Sequence, residues 1–156
     1  MKYVSFLFIA AVFLGCGSRG EPATDNQNQA ANTPEPAAEV TFANISAEEV
    51  CKEIMENKDI LILDVRREDE FNGNLGHLKG AILISVSELE SRLSEIEEYK
   101  DKPMIVYCRS GGRSARASEI LASNGFTGVK NMLGGMLGWN NADTESVECK
   151  DELLVK

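Results

Sequence analysis

The chain has 156 residues, enough for one domain with extensions. Its net charge of −9 argues against nucleic acid or an anionic lipid surface as a partner, and it makes any local cluster of arginines stand out. No cysteine or histidine spacing fits a zinc site, so neither a metal nor another cofactor is expected. Residues 1–15 begin with the positive Lys2 and run through an apolar segment, Tyr3 to Leu14, broken only by Ser5. At about a dozen residues this segment is too short to span a bilayer comfortably, and it reads as an export signal.

The end of that signal, Phe13-Leu14-Gly15-Cys16, resembles the signal of bacterial lipoproteins. The resemblance implies that Cys16 is lipidated and becomes the new N-terminus. Each buried CH₂ of the acyl chains would contribute about 0.8 kcal/mol, making attachment to the membrane effectively permanent. Residues 16–39 follow as a flexible linker, rich in Ala, Asn, Gln, Pro and Glu and without an aromatic, so they bury too little surface to fold. A coil of that length would hold the domain on the order of 25–30 Å from the membrane. The expected location is therefore the bacterial cell envelope, with the domain in the periplasm or outside the cell, where an envelope protein of unknown identity is a candidate partner.

The folded domain is expected over residues 40–156. Val40 to Ala43 suggests a short strand, and Ser46 is a suitable N-cap for a helix with Glu48 and Glu49 in its first turn. Val50, Cys51, Ile54 and Met55 give that helix its apolar face. Ile60 to Leu63 reads as a buried strand ending at Asp64. Sites in open parallel sheets collect outside the carboxyl ends of strands, so Asp64 is expected to share a crevice with Cys108. Asp64 and Arg66 carry two readings: a structural set in which Asp64 takes backbone amides and Arg66 bonds Glu70, or a charged pocket rim. His77 is the only histidine, and a structural role is preferred for it over proton shuttling. Ala81 to Ser85 reads as another strand. Leu89, Leu93 and Ile96 mark an amphipathic helix, whose Glu88, Glu90, Arg92, Glu95 and Glu97 form a solvated face. Val129 to Met132 is the last strand before the Gly134-Gly135 turn, and Trp139 is read as core or pocket wall.

The chemistry concentrates between Pro103 and Asn124, which reads as strand, loop and helix. Met104 to Tyr107 is a short apolar run suited to a strand buried on both faces. Ser114 to Ser123 are good helix formers, stopped by Asn124-Gly125. Between them lies Cys108-Arg109-Ser110-Gly111-Gly112-Arg113. A free thiol titrates near ~8.5, so only a few per cent is nucleophilic thiolate at neutral pH. Arg109 and Arg113 bring positive charge, a helix N-terminus adds its partial charge, and Gly111 and Gly112 allow left-handed angles that turn amides inward. Such a turn stabilises an anion at Cys108 and receives an anionic substrate.

This loop resembles, almost residue for residue, the active-site loop of single-domain rhodaneses, the thiosulfate-type sulfurtransferases. Leu63-Asp64-Val65-Arg66, Glu70-Phe71 and Gly76-His77-Leu78-Lys79-Gly80-Ala81 resemble a second family block, and Gly134-Gly135-Met136-Leu137-Gly138-Trp139 resembles its closing one. The resemblance implies a three-layer α/β domain with a central, mainly parallel sheet of about five strands and helices on both faces. It implies sulfur transfer through a persulfide on Cys108. Arg109, Ser110, Gly111, Gly112 and Arg113, with Asp64 and Arg66 at the rim, would bind a small anionic donor such as thiosulfate, and a thiol or cyanide would accept the sulfur. Two other classes compete. Cysteine-dependent phosphatases and arsenate reductases place five residues between cysteine and closing arginine where this loop places four, Arg109 to Gly112. A non-catalytic binding module is the second, although relatives that lose the chemistry usually lose the cysteine, which is present here. With Cys16 lipidated and Cys108 kept reactive, Cys51 and Cys149 are candidates for a disulfide, the alternative being two separate thiols.

Overall fold

The computed structural model describes residues 41–143 and 149–156. The expected signal at residues 1–15, the lipidation site Cys16 and the linker at 16–39 lie outside the described residues.

In chain order the elements are β1 (Ala43–Ile45), α1 (Ala47–Glu56), β2 (Leu61–Asp64), α2 (Glu68–Phe71), β3 (His77–Leu78) and β4 (Ile82–Leu83). After two 3₁₀ segments come β5 (Pro103–Tyr107), α3 (Gly112–Ser123), β6 (Gly128–Met132), α4 (Gly135–Asn141), α5 (Lys150–Leu153) and β7 (Leu154–Val155). Five strands form one sheet in the order β1-β6-β5-β2-β4, and every neighbouring pair in it is parallel. β3 and β7 make a separate antiparallel pair. Ser46 starts α1 as expected: its hydroxyl accepts from the Glu49 amide at 3.3 Å, while the Glu49 carboxylate accepts from the Ser46 amide at 2.8 Å.

Strand alternation builds two cores from one sheet. Ile62, Ile105 and Tyr107 face α1 and α4, packing with Val50, Cys51, Ile54, Met136 and Trp139. Leu61, Leu63, Met104 and Val106 face the other way, against Ala117 and Leu121 of α3 and against Leu89 and Ile96. The result is the three-layer α/β architecture with a parallel five-stranded sheet. Trp139 is fully buried and belongs to the first core.

Two elements depart from the sequence reading. The first strand is Ala43–Ile45 and not Val40–Ala43, because pairing with β6 fixes it: Ala43 aligns with Lys130 and Ile45 with Met132. The region around Leu89, Leu93 and Ile96 is not an α-helix but 3₁₀ segments, Leu89–Glu95 and Glu97–Tyr99. Leu89 and Ile96 still reach the core. The i, i+4, i+7 spacing is that of an α-helix, but the chain breaks at Ile96 between the two 3₁₀ segments, and Ile96 reaches the core from that break rather than from one continuous helix face. Arg92 bonds Glu88 and Glu95 on the exposed side, as a solvated face requires.

Cys51 of α1 and Cys149 are joined as a disulfide, with Cα atoms 5.8 Å apart and a sequence separation of 98. The bridge secures the C-terminal strap to the core. Beyond it, Lys79 N–H donates to the Leu153 carbonyl at 2.7 Å and β7 pairs with β3. Because the bridge closes a long loop in the unfolded chain, replacing both cysteines by alanine is expected to cost about 2–4 kcal/mol. Denaturant titration checks this: reductant should lower the midpoint of the native chain and leave that of Cys51→Ala/Cys149→Ala unchanged.

Candidate active site

Cys108 follows β5 at the carboxyl edge of the sheet and is only 1% exposed. Gly111 turns the loop with φ +97°, in the left-handed region, and serves as N-cap of α3. That turn aims the Gly111 N–H at the Cys108 Sγ, 3.2 Å away. Ser114, one turn into α3, brings its hydroxyl to 3.5 Å from the same sulfur. Burial pushes the Cys108 thiol up, but the Ser114 hydroxyl and the peptide N–H groups of Ser114, Ser110 and Gly111 outweigh it, so the pKa lies below the ordinary value. The sulfur thus sits in a cradle of donors at the N-terminus of a twelve-residue helix.

The carbonyl side of the loop is clamped as well. Met136 N–H donates to the Cys108 carbonyl and Leu137 N–H to the Arg109 carbonyl, each at 2.9 Å, so the first turn of α4 holds the loop by its oxygens. Gly135 makes that approach feasible: a Cβ there would lie 2.7 Å from the Arg109 carbonyl carbon and 2.8 Å from the Ser110 nitrogen. This is the physical content of the Gly134-Gly135 pair.

The arginines divide their work differently from the expectation of two free cations. Arg113 gives Nη1 and Nη2 to the two carboxylate oxygens of Glu70 at 2.6 and 2.7 Å. The Arg113 fork holds the Glu70 carboxyl down to about pKa 2. Its charge is therefore largely neutralised where it stands. Arg109 is exposed and, among the described residues, its guanidinium makes no ion pair. It stands beside an open cleft of about 210 Å³ lined also by Asp69, Glu70, Gly73, Asn74 and Leu75.

Asp64 and Arg66 are not brought to the sulfur. Asp64 stands in register with Tyr107, one residue before Cys108, so its side chain belongs to the opposite face of the sheet. There it accepts from the Arg66 amide at 2.9 Å and from Nε and Nη2 of Arg66, the latter at 2.6 Å. Arg66 Nη2 also donates to the Gly76 carbonyl at 2.7 Å. Both side chains are wholly buried. The expected shared crevice is thus corrected to a buried structural pair, and Arg66 bonds Gly76 where Glu70 was expected. His77 stacks on Phe71 with centroids 3.8 Å apart and sets Nδ1 3.2 Å from the Phe71 carbonyl, a structural arrangement. Gly112, expected to share the left-handed turn, has an ordinary helical position with open space around it.

Sequence reasoning passed over Ser114, Asn131 and the pairing of Glu70 with Arg113. Ser114 Oγ lies 2.6 Å from Asn131 Oδ1, and Asn131 Nδ2 donates to Asn44 Oδ1 at 2.8 Å. The available signal for Asn131 was a lone amide between Lys130 and Met132 at the end of a strand.

Residues 46–142 match the rhodanese-like domain family, and the chain belongs to that family. It is 42% identical over 78 residues to the uncharacterized protein YqhL of Bacillus subtilis, covering 50% of this chain and 59% of that protein. It is 30% identical over 109 residues to the thiosulfate sulfurtransferase GlpE of Pseudoalteromonas translucida, covering 70% of this chain and 99% of that one. Among solved structures, a rhodanese-like domain protein from Staphylococcus aureus superposes with TM-score 0.56 at 27% identity, over 74% of this chain and 99% of that one.

Two outcomes follow from this geometry. Gly111→Ala is expected to disturb the loop, since a Cβ at φ +97° would also press on the Gly134 nitrogen at 3.2 Å, whereas Gly112→Ala meets nothing. Comparing the rates at which Cys108 is alkylated in the two variants checks this. Glu70 is depressed from 4.5 to about 2, so it adds stability above pH 4.5 that is lost as pH falls toward 2. Glu70→Gln should therefore be less stable by about 1–3 kcal/mol at neutral pH, with the difference shrinking through that acid window in denaturant melts.

Proposed function

We propose that this chain is a sulfurtransferase that moves a sulfane sulfur from thiosulfate, or a similar small anionic donor, to a thiophilic acceptor. The observation that carries the reading is the donor cradle on one enclosed cysteine: Gly111 N–H at 3.2 Å and Ser114 Oγ at 3.5 Å from Cys108 Sγ. Kinship with sulfurtransferases such as that of Pseudoalteromonas translucida supports it.

In this reading the Cys108 thiolate attacks the outer sulfur of thiosulfate. A new S–S bond forms to Cys108, and the bond from that sulfur to the sulfite group breaks, its electron pair leaving with sulfite. The cysteine persulfide carries the negative charge on its terminal sulfur, where loop amides stabilise it as they stabilised the thiolate. Cyanide or a thiolate then attacks the terminal sulfur, the S–S bond breaks, and the Cys108 thiolate returns. No protein base is called on in this reading, since the donors around Cys108 favour its thiolate. Arg109, exposed and unpaired among the described residues, draws the dianionic donor to the loop and steadies departing sulfite. Arg113, tied to Glu70, holds the loop's shape.

The reading extends to location. The Cys51–Cys149 disulfide fits an oxidising compartment, which supports export and the proposed tether through Cys16 to the cell envelope.

Steady-state assays with thiosulfate and cyanide test the proposal. Cys108→Ser should abolish thiocyanate formation. Arg109→Ala should raise the KM for thiosulfate about tenfold with less effect on kcat, as loss of roughly 1.4 kcal/mol of donor attraction requires. Undiminished turnover by Cys108→Ser would end the proposal.

A further inference from the structure

Ser114 faces three acceptors with one proton. Its Oγ lies 2.6 Å from Asn131 Oδ1, 3.0 Å from the Gly111 carbonyl and 3.5 Å from Cys108 Sγ. A hydroxyl donates once, so whichever acceptor takes the proton leaves the others without it. With Asn131 oxygen toward Ser114, the shortest contact claims the proton, and the sulfur keeps only peptide N–H donors, with Gly111 N–H at 3.2 Å.

The other arrangement is built into the same atoms. Asn131 is 2% exposed and its amide spans Ser114 on one side and Asn44 on the other. Asn44 is its register partner across β1 and β6, at the exposed edge. A half-turn of both amides exchanges nitrogen and oxygen without moving the heavy-atom framework. Asn44 Nδ2 then donates to Asn131 Oδ1 and Asn131 Nδ2 donates to Ser114 Oγ, which leaves the Ser114 proton to Sγ or to the Gly111 carbonyl, an acceptor that Ala115 N–H already serves at 3.0 Å. Along the line from Ser114 through Asn131 to Asn44 each donor faces an acceptor in both arrangements. Only the second gives the sulfur a hydroxyl proton to accept, and a bond to an ionised acceptor is about twice as strong as a neutral one.

We propose that Asn131, backed by Asn44, is a positioning residue that directs the Ser114 hydroxyl proton onto the Cys108 sulfur. The amide pair is a two-state relay from the sheet edge to the nucleophile. When the sulfur is a neutral thiol, Ser114 donates to Asn131. When it is an anion, as the thiolate, both amides turn and Ser114 donates to it. The role rests on Cys108 as the reactive thiolate of the proposed function, but its readout does not require that any sulfur be transferred.

Asn44 permits a test at an exposed position, where substitution leaves the core intact. Asn44→Asp accepts only, which holds Asn131 with its nitrogen outward and its oxygen on the Ser114 proton. The Cys108 thiol, titrated by its thiolate absorbance, should then ionise about one unit higher than in the native chain. The comparison is made at about 1 M salt, where the Debye length of about 3 Å suppresses the direct effect of the added charge. In a Ser114→Ala background the same substitution should shift the titration by less than a third as much, because the relay has lost its only route to the sulfur. Asn44→Ala, lacking both groups, should fall between the native chain and Asn44→Asp. An unchanged titration in Asn44→Asp, or an equal shift with and without Ser114, would overturn the relay. A thiol that shifts as described in a chain with no sulfurtransferase activity would uphold the relay and count against the proposed function alone.

Discussion

The structure depends on the two-sided hold on one loop. From below, the N-terminus of α3 presents N–H groups to the Cys108 sulfur, which requires the left-handed turn at Gly111. From above, the first turn of α4 takes the carbonyls of Cys108 and Arg109, which requires a glycine at 135. With oxygens engaged on one side, the peptide N–H groups are left facing the sulfur. An enclosed thiol would ordinarily resist ionisation, and it is this arrangement of donors, more than the guanidinium groups, that reverses the preference.

The rest of the domain positions these two helix ends. The parallel sheet ends β5 and β6 side by side, so that α3 and the turn into α4 emerge at the same edge. The two cores fix α3 to one face and α4 to the other. The loop between them is therefore gripped from both layers, and its geometry is that of the sheet. Glu70, brought by α2, completes the frame by fixing the Arg113 side chain. One consequence is electrostatic: a loop that carries two arginines in sequence presents a single unpaired cation, Arg109, beside its cleft among the described residues.

The legibility of the sequence follows the range of each interaction. Elements with a local code were readable: the N-cap at Ser46, the buried strand before Cys108, the helix after it and its stop at Asn124-Gly125. So was the family, because its blocks are local strings. What was hidden depends on register and on partners far along the chain. Asp64 was expected beside Cys108, but alignment with Tyr107 turns it to the other face by a single residue, and no local feature states that register. Arg113 meets Glu70 across 43 residues of sequence, and Asn131 meets Asn44 across 87. The 3₁₀ segments were misread for a different reason, since the spacing of Leu89, Leu93 and Ile96 is that of an α-helix and no local feature states the break at Ile96.

Peptide and hydroxyl donors, and not proximity to free arginines, hold the pKa of the enclosed Cys108 sulfur below its ordinary value. The most direct measurement is the pH dependence of Cys108 alkylation in the otherwise native chain, with Cys51 and Cys149 left oxidised. The expected result is a midpoint clearly below the ~8.5 of a free cysteine, little moved by Arg109→Ala. A midpoint at or above that of free cysteine, or one that returns to it when Arg109 alone is removed, would contradict the claim.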